Sequence, residues 1–338
     1  MVGSWGLKSA RWLVTEAKVL DLPAHGACTM VRRRVIKSIG GYDPAYDSQD
    51  GHELWLKVID RYAVGNVETP LFFYRQHGNS MSRNEKRLLE ARQRIKRGMA
   101  AKREGHVKPR MVAIVPAKNT YPGMPNVVLE RLSGIPLIDY TLREAQASGA
   151  FDCIYVSTDD QAVVDHCAKW DRVISEVRQP ELSSPRAKLA DVIVSAVDAF
   201  ESVHDIHPDI VVMLSLHSPL RTSQHIQKAI DTLILYDVDN VISIYEDFDL
   251  HFMHGEHGLK ALNAGMVKML RFEREALFVD NGAVHAFWRD FVSHEDLYQG
   301  RIGHIVMPRD DSLQIKNPED LALMESLIQM RRGNVANS

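Results

Sequence analysis

Hydrophobic order is strongest in the second half of the chain. Met111-Val-Ala-Ile-Val115, Cys153-Ile-Tyr-Val-Ser157, Ile210-Val-Val-Met-Leu214 and Val241-Ile-Ser-Ile244 are short, nearly unbroken apolar runs rich in β-branched residues. Such runs suit strands buried on both faces of a parallel sheet. Between them the period changes to that of a helix. Leu137–Ser148 (ended by Gly149), Gln161–Trp170, Ala187–Val203 and His225–Leu235 read as helices. In Ala187–Val203 the apolar face carries Leu189, Val192, Ile193, Ala196, Val197 and Phe200. Strands alternating with helices predict a three-layer α/β domain with a mostly parallel sheet. Ligands in such sheets sit at the carboxyl ends of the strands, so the loops after Val115, Ser157 and Leu214 are the places to look.

The pattern divides the chain into residues 1–81, a segment 82–110, a domain 111–330 and a tail 331–338. The 338 residues, 45% apolar and 25% charged, exclude a wholly disordered or fibrous chain. No apolar run approaches the ~20 residues of a membrane span. The N-terminal stretch lacks an apolar core followed by a small-residue cleavage site, so no secretory signal is expected. Cys28, Cys153 and Cys167 form no CxxC pair, so neither a disulfide framework nor a zinc site is expected, and a reducing cytoplasm fits. The net charge of −3 hides an asymmetry: Ser82–Arg110 carries eleven Lys/Arg and three Glu. No aromatic interleaves those charges, so the segment reads as a solvated, largely helical linker and not as a nucleic-acid site.

The loop Pro116-Ala-Lys-Asn-Thr-Tyr-Pro-Gly-Met-Pro-Asn126 leaves the first buried strand and carries a cation, Lys118. Backbone amides and a lysine in a strand-end loop suit a triphosphate, although the GxxxxGK[ST] pattern is absent. The same loop also reads as an ordinary connection shaped by its prolines. Asp159 and Asp160 read either as site carboxylates or as caps of the helix near Gln161.

Seven ordered blocks carry a resemblance. Ala117-Lys118 with Gly123 and Pro125-Asn126 comes first, then Leu132-Ser-Gly-Ile-Pro-Leu-Ile-Asp-Tyr-Thr141 and Phe151-Asp-Cys-Ile-Tyr-Val-Ser-Thr-Asp-Asp160. Arg178-Gln-Pro-Glu-Leu182, Ser218-Pro-Leu-Arg-Thr222 and Asn281-Gly-Ala283 follow, with Asn317-Pro-Glu-Asp-Leu321 closing the series. Over about 111–330 the chain resembles the acylneuraminate cytidylyltransferases (CMP-sialic acid synthetases). The resemblance implies a Rossmann-like nucleotide-binding fold. It also implies a reaction in which the anomeric hydroxyl of a nonulosonic or related 2-keto sugar acid attacks the α-phosphate of CTP, releasing pyrophosphate. Carried over position by position, Ala117, Lys118, Asn119, Asn126, Arg178 and Lys188 are expected at the nucleotide, with Lys118 as the catalytic cation. Ser218, Arg221, Arg271 and Asn281 are expected at the sugar acid. Arg221 also reads as a turn residue holding backbone carbonyls, and Asn281-Gly282 as a plain turn. The family commonly dimerises, so a homodimer is expected.

Departures from the family pattern matter. Its phosphate loop has two lysines; Pro122 takes the place of the first, and a loop two residues shorter lacks the second. Its metal-binding D-I-D is replaced by Gln314-Ile-Lys316. Lysine cannot ligate Mg²⁺, and glutamine is a poor neutral substitute for carboxylate. No protein-held metal is therefore expected there, and Mg²⁺ is expected to arrive with CTP.

Residues 1–81 carry a second resemblance. Gly26-Ala-Cys-Thr-Met-Val-Arg-Arg33, Ile39-Gly-Gly-Tyr-Asp43, Gln49-Asp-Gly-His-Glu-Leu-Trp-Leu56, Pro70-Leu-Phe-Phe-Tyr-Arg-Gln-His77 and Ser80-Met-Ser82 are similar in order to the C-terminal half of a family-2 inverting glycosyltransferase. That likeness implies Asp50 as a general base and Arg75 and His77 near a donor diphosphate; Asp50 with Glu53 also reads as a capping-box-like helix start. The family's nucleotide-binding half with its D-x-D motif is absent. Three functions compete: a cytidylyltransferase, a non-catalytic or altered-substrate nucleotide-sugar binding protein tethered to a glycosyltransferase remnant, and a glycosyltransferase needing a partner chain. The block order favours the first, Gln314 and Lys316 the second, and the missing D-x-D counts against the third.

Overall fold

The computed structural model describes residues 30–46, 50–59, 61–62, 91, 94–99, 109–121, 123–204, 207–236, 238–262 and 277–336. The chain forms two units, residues 1–102 with 246–278, and residues 103–245 with 279–338.

In the first unit, α1 (Arg33–Ser38) and α2 (Asp50–Ile59) share an apolar cluster of Val35, Ile39, Leu54, Trp55 and Val58. Leu54, Trp55 and Val58 are buried, as their helical spacing predicts. Beside them the buried Glu53 carboxylate pairs with Lys57 one turn on. The side chain of Asp50 and the segments carrying Arg75, His77 and Ser80–Ser82 lie outside the described residues.

The second unit carries the α/β sheet. In chain order its first elements are β1 (Met111–Ala117), the short pairs β2 (Thr120–Tyr121) with β3 (Met124–Pro125) and β4 (Arg131–Leu132) with β5 (Ile135–Pro136), and α3 (Leu137–Ser148). Next come β6 (Cys153–Thr158), α4 (Gln161–Cys167), β7 (Val173–Val177), α5 (Leu189–His204), β8 (Ile210–Leu214), α6 (Ser223–Tyr236) and β9 (Asn240–Asp247). A hairpin, β10 (Phe252–Gly255) with β11 (Gly258–Ala261), belongs to the first unit. The last elements are β12 (Leu277–Trp288), β13 (Ile302–Val306) and α7 (Pro318–Ala336), which runs past residue 330.

Seven strands form one sheet in the order β13-β9-β12-β8-β1-β6-β7. β8, β1, β6 and β7 are mutually parallel, as are β9 and β13, while β12 runs antiparallel to β8. The three strands expected to be parallel neighbours, 112–115, 154–157 and 211–214, are so. On one face Val112, Ile114, Tyr155, Val211 and Met213 meet Ile193, Val197 and Phe200 of α5. Residues of the opposite pleat (Ala113, Val115, Ile154, Val156, Val212, Leu214) are equally buried, so the sheet is covered on both sides. Each buried Val, Ile, Leu, Met or Phe side chain among them contributes roughly 1.5–3 kcal/mol by leaving water.

Helix ends follow local chemistry. Gly149 stops α3 in the left-handed conformation at φ 62°, where a Cβ would be strained. α4 ends at Cys167, before the expected Trp170, because the chain turns there: Trp170 donates to the Cys167 carbonyl and Arg172 takes φ 56°.

Candidate active site

Topology brings the candidate loops to one edge. From β1 the chain steps one way to β6 and β7, then returns to place β8 on the other side of β1. The reversal opens a crevice between the carboxyl ends of β1 and β8, the place such sheets bind ligands. Because β12 is antiparallel to β8 and pairs Val284 with Leu214, the turn Asn281–Ala283 arrives at the same edge. Because β7 pairs Val177 with Thr158, Arg178 arrives there too.

The loop after β1 is locked to the end of β6. The Asn119 backbone N–H donates to Asp159 Oδ1 at 2.6 Å, and its side chain Nδ2 to Asp160 Oδ2 at 2.6 Å and to Asn126 Oδ1 at 3.4 Å. Asn119 Oδ1 accepts from the Val128 N–H at 3.0 Å. The same Asp160 caps α4 through the Ala162 N–H at 2.8 Å. The pair read as caps or site carboxylates is therefore divided: Asp160 caps the helix and anchors Asn119, while Asp159 holds the loop backbone. Asp160→Ala is expected to cost about 1–2 kcal/mol of stability in equilibrium denaturation, and Asp160→Asn, which keeps the capping oxygen but turns an NH2 towards Asn119 Nδ2, less than that. Equal losses for the two would remove the cap from the account.

Next to this lock lies a cationic, aromatic cluster. Arg178 donates from Nε to Ser183 Oγ at 2.8 Å and from Nη1 to the Ser157 carbonyl at 3.3 Å. Burial lowers its pKa, while nearby Asp159 and Tyr121 oppose that shift, so the guanidinium stays charged. Lys118 Nζ stands 5.5 Å from the centre of the Tyr121 ring. The Tyr121 hydroxyl lies 3.3 Å from His217 Nε2, the two rings edge to face at 5.2 Å. Burial raises the Tyr121 pKa and lowers that of His217.

A second set of contacts ties the β8 and β12 ends together. Arg221 is wholly buried; its Nη1 donates to the Ser215 carbonyl at 2.8 Å and the Ala283 carbonyl at 3.0 Å. Asn281 Oδ1 accepts from Ser243 Oγ at 2.5 Å and from the Ala283 N–H at 3.1 Å, and Nδ2 donates to Ser312 Oγ at 2.8 Å. The Ile315 N–H donates to the His217 carbonyl at 2.9 Å, which draws the segment after β13 across the same edge.

A family model described as Cytidylyltransferase matches residues 112–336. The chain belongs to the cytidylyltransferase family. It is 30% identical over 217 residues to N-acylneuraminate cytidylyltransferase of Streptococcus agalactiae serotype V, covering 62% of this chain and 51% of that protein. It is 28% identical over 123 residues to pseudaminic acid cytidylyltransferase of Campylobacter jejuni, covering 36% of this chain and 53% of that protein. The chain thus spans about half the length of these curated relatives. A solved CMP:2-keto-3-deoxy-manno-octonic acid synthetase complexed with CTP matches 66% of this chain and 99% of its own, with a TM-score of 0.48 at 14% identity.

Within the cytidylyltransferase domain the expected site residues are placed differently. Lys118, Asn126 and Arg178 gather at the crevice edge, with Ala117 (at the end of β1) and Asn119 buried beside them. Lys188 stands exposed just before α5. Ser218, Arg221 and Asn281, expected against the sugar acid, are buried to 2% exposure or less, and the side chains of Arg221 and Asn281 hold the loops from within. Arg271 lies outside the described residues. Tyr121 and His217 were not singled out from sequence; only the pairing of two loops 96 positions apart brings them together.

The Mg²⁺ implied by the family does not fit the donors at 314 and 316. Gln314 presents its amide Nε2 to the Asn281 carbonyl, and Lys316 is an exposed cation whose backbone N–H bonds Asp320 Oδ2 at 2.8 Å. Among the described residues no helix is long and apolar enough to cross a membrane.

Proposed function

We propose that this chain is a nucleotidyltransferase that activates a sialic-acid-like 2-keto sugar acid with CTP, giving a CMP-sugar and pyrophosphate. The observation that carries the reading is the gathering of Lys118 and Arg178 around Tyr121 at the β1–β8 crevice, in a chain of this family. A displacement at phosphorus needs little from a protein beyond positioning and charge neutralisation. The bond from the sugar oxygen to the α-phosphorus forms as the bond to the pyrophosphate oxygen breaks. Lys118 and Arg178 supply positive charge where the triphosphate lies, and the Asn119–Asp159–Asp160 lock keeps the loop from re-forming at each turnover. Similarity to relatives named for acylneuraminate and pseudaminic acid supports a nonulosonic acid as the acceptor.

Pyrophosphate release with CTP and a panel of 2-keto sugar acids tests the reading; release with none of them, alongside normal folding, would reject it. Lys118→Ala is expected to weaken CTP binding by about 10–100-fold, the cost of one charge-assisted hydrogen bond to phosphate. Calorimetric titration with CTP measures it, and unchanged affinity would take Lys118 out of the site.

A further inference from the structure

Three loops meet where Gln314 lies. Its side-chain Nε2 donates to the Asn281 main-chain carbonyl. The next residue, Ile315, donates its N–H to the His217 carbonyl at 2.9 Å. The two bonds join the segment after β13 to the kink inside β12 and to the turn after β8. The kink is built for this approach: Gly282 has φ +60°, and a Cβ there would stand 2.8 Å from Gln314 Nε2. No larger residue at 282 leaves the amide in place.

Three carboxylates near this segment already have partners. Asp280 accepts from the Gly282 N–H at 2.7 Å and the Tyr298 hydroxyl at 2.6 Å. Asp311 pairs with Arg331 at 2.8 Å. Asp320 accepts from the N–H groups of Lys316 at 2.8 Å and Asn317 at 3.1 Å. An amide donor already faces the Asn281 carbonyl, and Lys316 adds a unit charge. A divalent cation would meet positive hydrogens where it needs oxygen lone pairs, next to a residue whose side chain is a cation.

We infer that Gln314 is a positioning residue, a strap whose amide holds the Asn281–Gly282 turn at the crevice edge, and that this segment binds no divalent ion of its own. The ion's structural place is taken by a hydrogen bond, and any divalent ion used in turnover enters with the nucleotide. That last clause rests on the function proposed above; the strap does not.

The test uses the full chain without nucleotide. Mn²⁺ uptake is read by electron paramagnetic resonance, and hydrogen exchange is followed over residues 281–284. The unmodified protein is expected to take up no stoichiometric Mn²⁺. Gln314→Met, which keeps the volume but loses the donor, is expected to speed exchange at 281–284 by about 3–10-fold, the worth of one hydrogen bond. Gln314→Glu is expected to speed exchange likewise, to bind Mn²⁺ at least about 10-fold more tightly than the unmodified protein, and to have its exchange slowed again by Mn²⁺. A merely structural role would not produce that metal-dependent rescue. Stoichiometric Mn²⁺ uptake by the unmodified protein overturns the inference, as does unchanged exchange in Gln314→Met or a Gln314→Glu protein that ignores Mn²⁺. If Gln314→Met does not fold, Gln314→Glu carries both readouts. CTP titration of the same samples is read separately: failure of the unmodified protein to bind CTP would reject the proposed function and leave the strap standing.

Discussion

Arg221→Ala is expected to destabilise the protein by on the order of 3 kcal/mol, and Arg221→Met by far less. Two effects compete at this residue. Its Nη1 is the donor for two carbonyls from loops 62 and six positions away, Ala283 and Ser215. Removing it leaves the Ala283 carbonyl with only the Ser215 N–H at 3.3 Å and the Ser215 carbonyl with only Thr141 Oγ1 at 3.5 Å, and alanine adds a cavity. Against that stands the cost of the charge. Burial pushes the Arg221 pKa down to about 10, with Glu144 opposing, and Nε and Nη2 have no acceptor among the described residues. Methionine restores most of the volume and removes the costly cation, so it offsets part of what the lost bonds take away. On the function proposed above both variants should lose CTP affinity, because the 215–218 and 281–283 loops are then held together by the Ser215 N–H to Ala283 carbonyl bond without the guanidinium. Chemical denaturation of the two variants decides the matter. Methionine as damaging as alanine would mean that the carbonyl bonds outweigh both volume and charge.

Arg221 also shows where sequence reading stops. The buried strands and α3 were legible because a residue's own neighbours specify them: unbroken apolar runs have one stable setting, between two layers of helix. The crevice was legible because alternating strands and helices imply parallel topology, and topology implies which strand ends bind ligands. β7 was missed because an edge strand is half exposed, and Ser175 and Glu176 break its apolar run. β12 was missed because Asp280-Asn-Gly282 reads as a turn; it is a kink inside a twelve-residue strand, with Gly282 at φ 60°. β13 carries Gly303 because a Cβ there would stand 2.9 Å from Val238 Cγ2, a reason visible only across the sheet. The burial of Arg221 and the meeting of Tyr121 with His217 depend in the same way on partners brought by strand order. Local chemistry located the site, and distant pairing decided which side chains face it and which hold it from behind.

Acidification is expected to have the largest effect of all, and it acts through two histidines, His285 and His225. His285 is 3% exposed, donates from Nε2 to Asn240 Oδ1 at 3.1 Å, and stacks on Phe287 with ring centres 3.9 Å apart. Burial pushes its pKa down to about 3. His225 is half-buried; its Nδ1 accepts from the Thr222 N–H at 3.1 Å. Burial pushes its pKa down to about 4, with Asp311 opposing. In the unfolded chain both return to about 6.5. Below that pH the unfolded state takes up protons that the folded state refuses, so stability is full above about pH 6.5 and falls as the pH drops toward the folded values. At about pH 5 the loss is on the order of 2 kcal/mol for each, a large share of a 5–15 kcal/mol total. Carboxylates do not confuse this window. Glu201, whose pKa is lowered by its hydrogen bond from Arg289, loses its contribution only below the ordinary glutamate range. Urea denaturation at a series of pH values measures the slope. His285→Phe should be less stable near neutrality, because Asn240 Oδ1 loses its donor, and should show a flatter pH dependence. The two curves are then expected to converge as the pH falls. Curves that stay parallel from neutrality to about pH 5 would show that His285 protonates as easily in the fold as outside it, and the acid sensitivity would have to come from elsewhere.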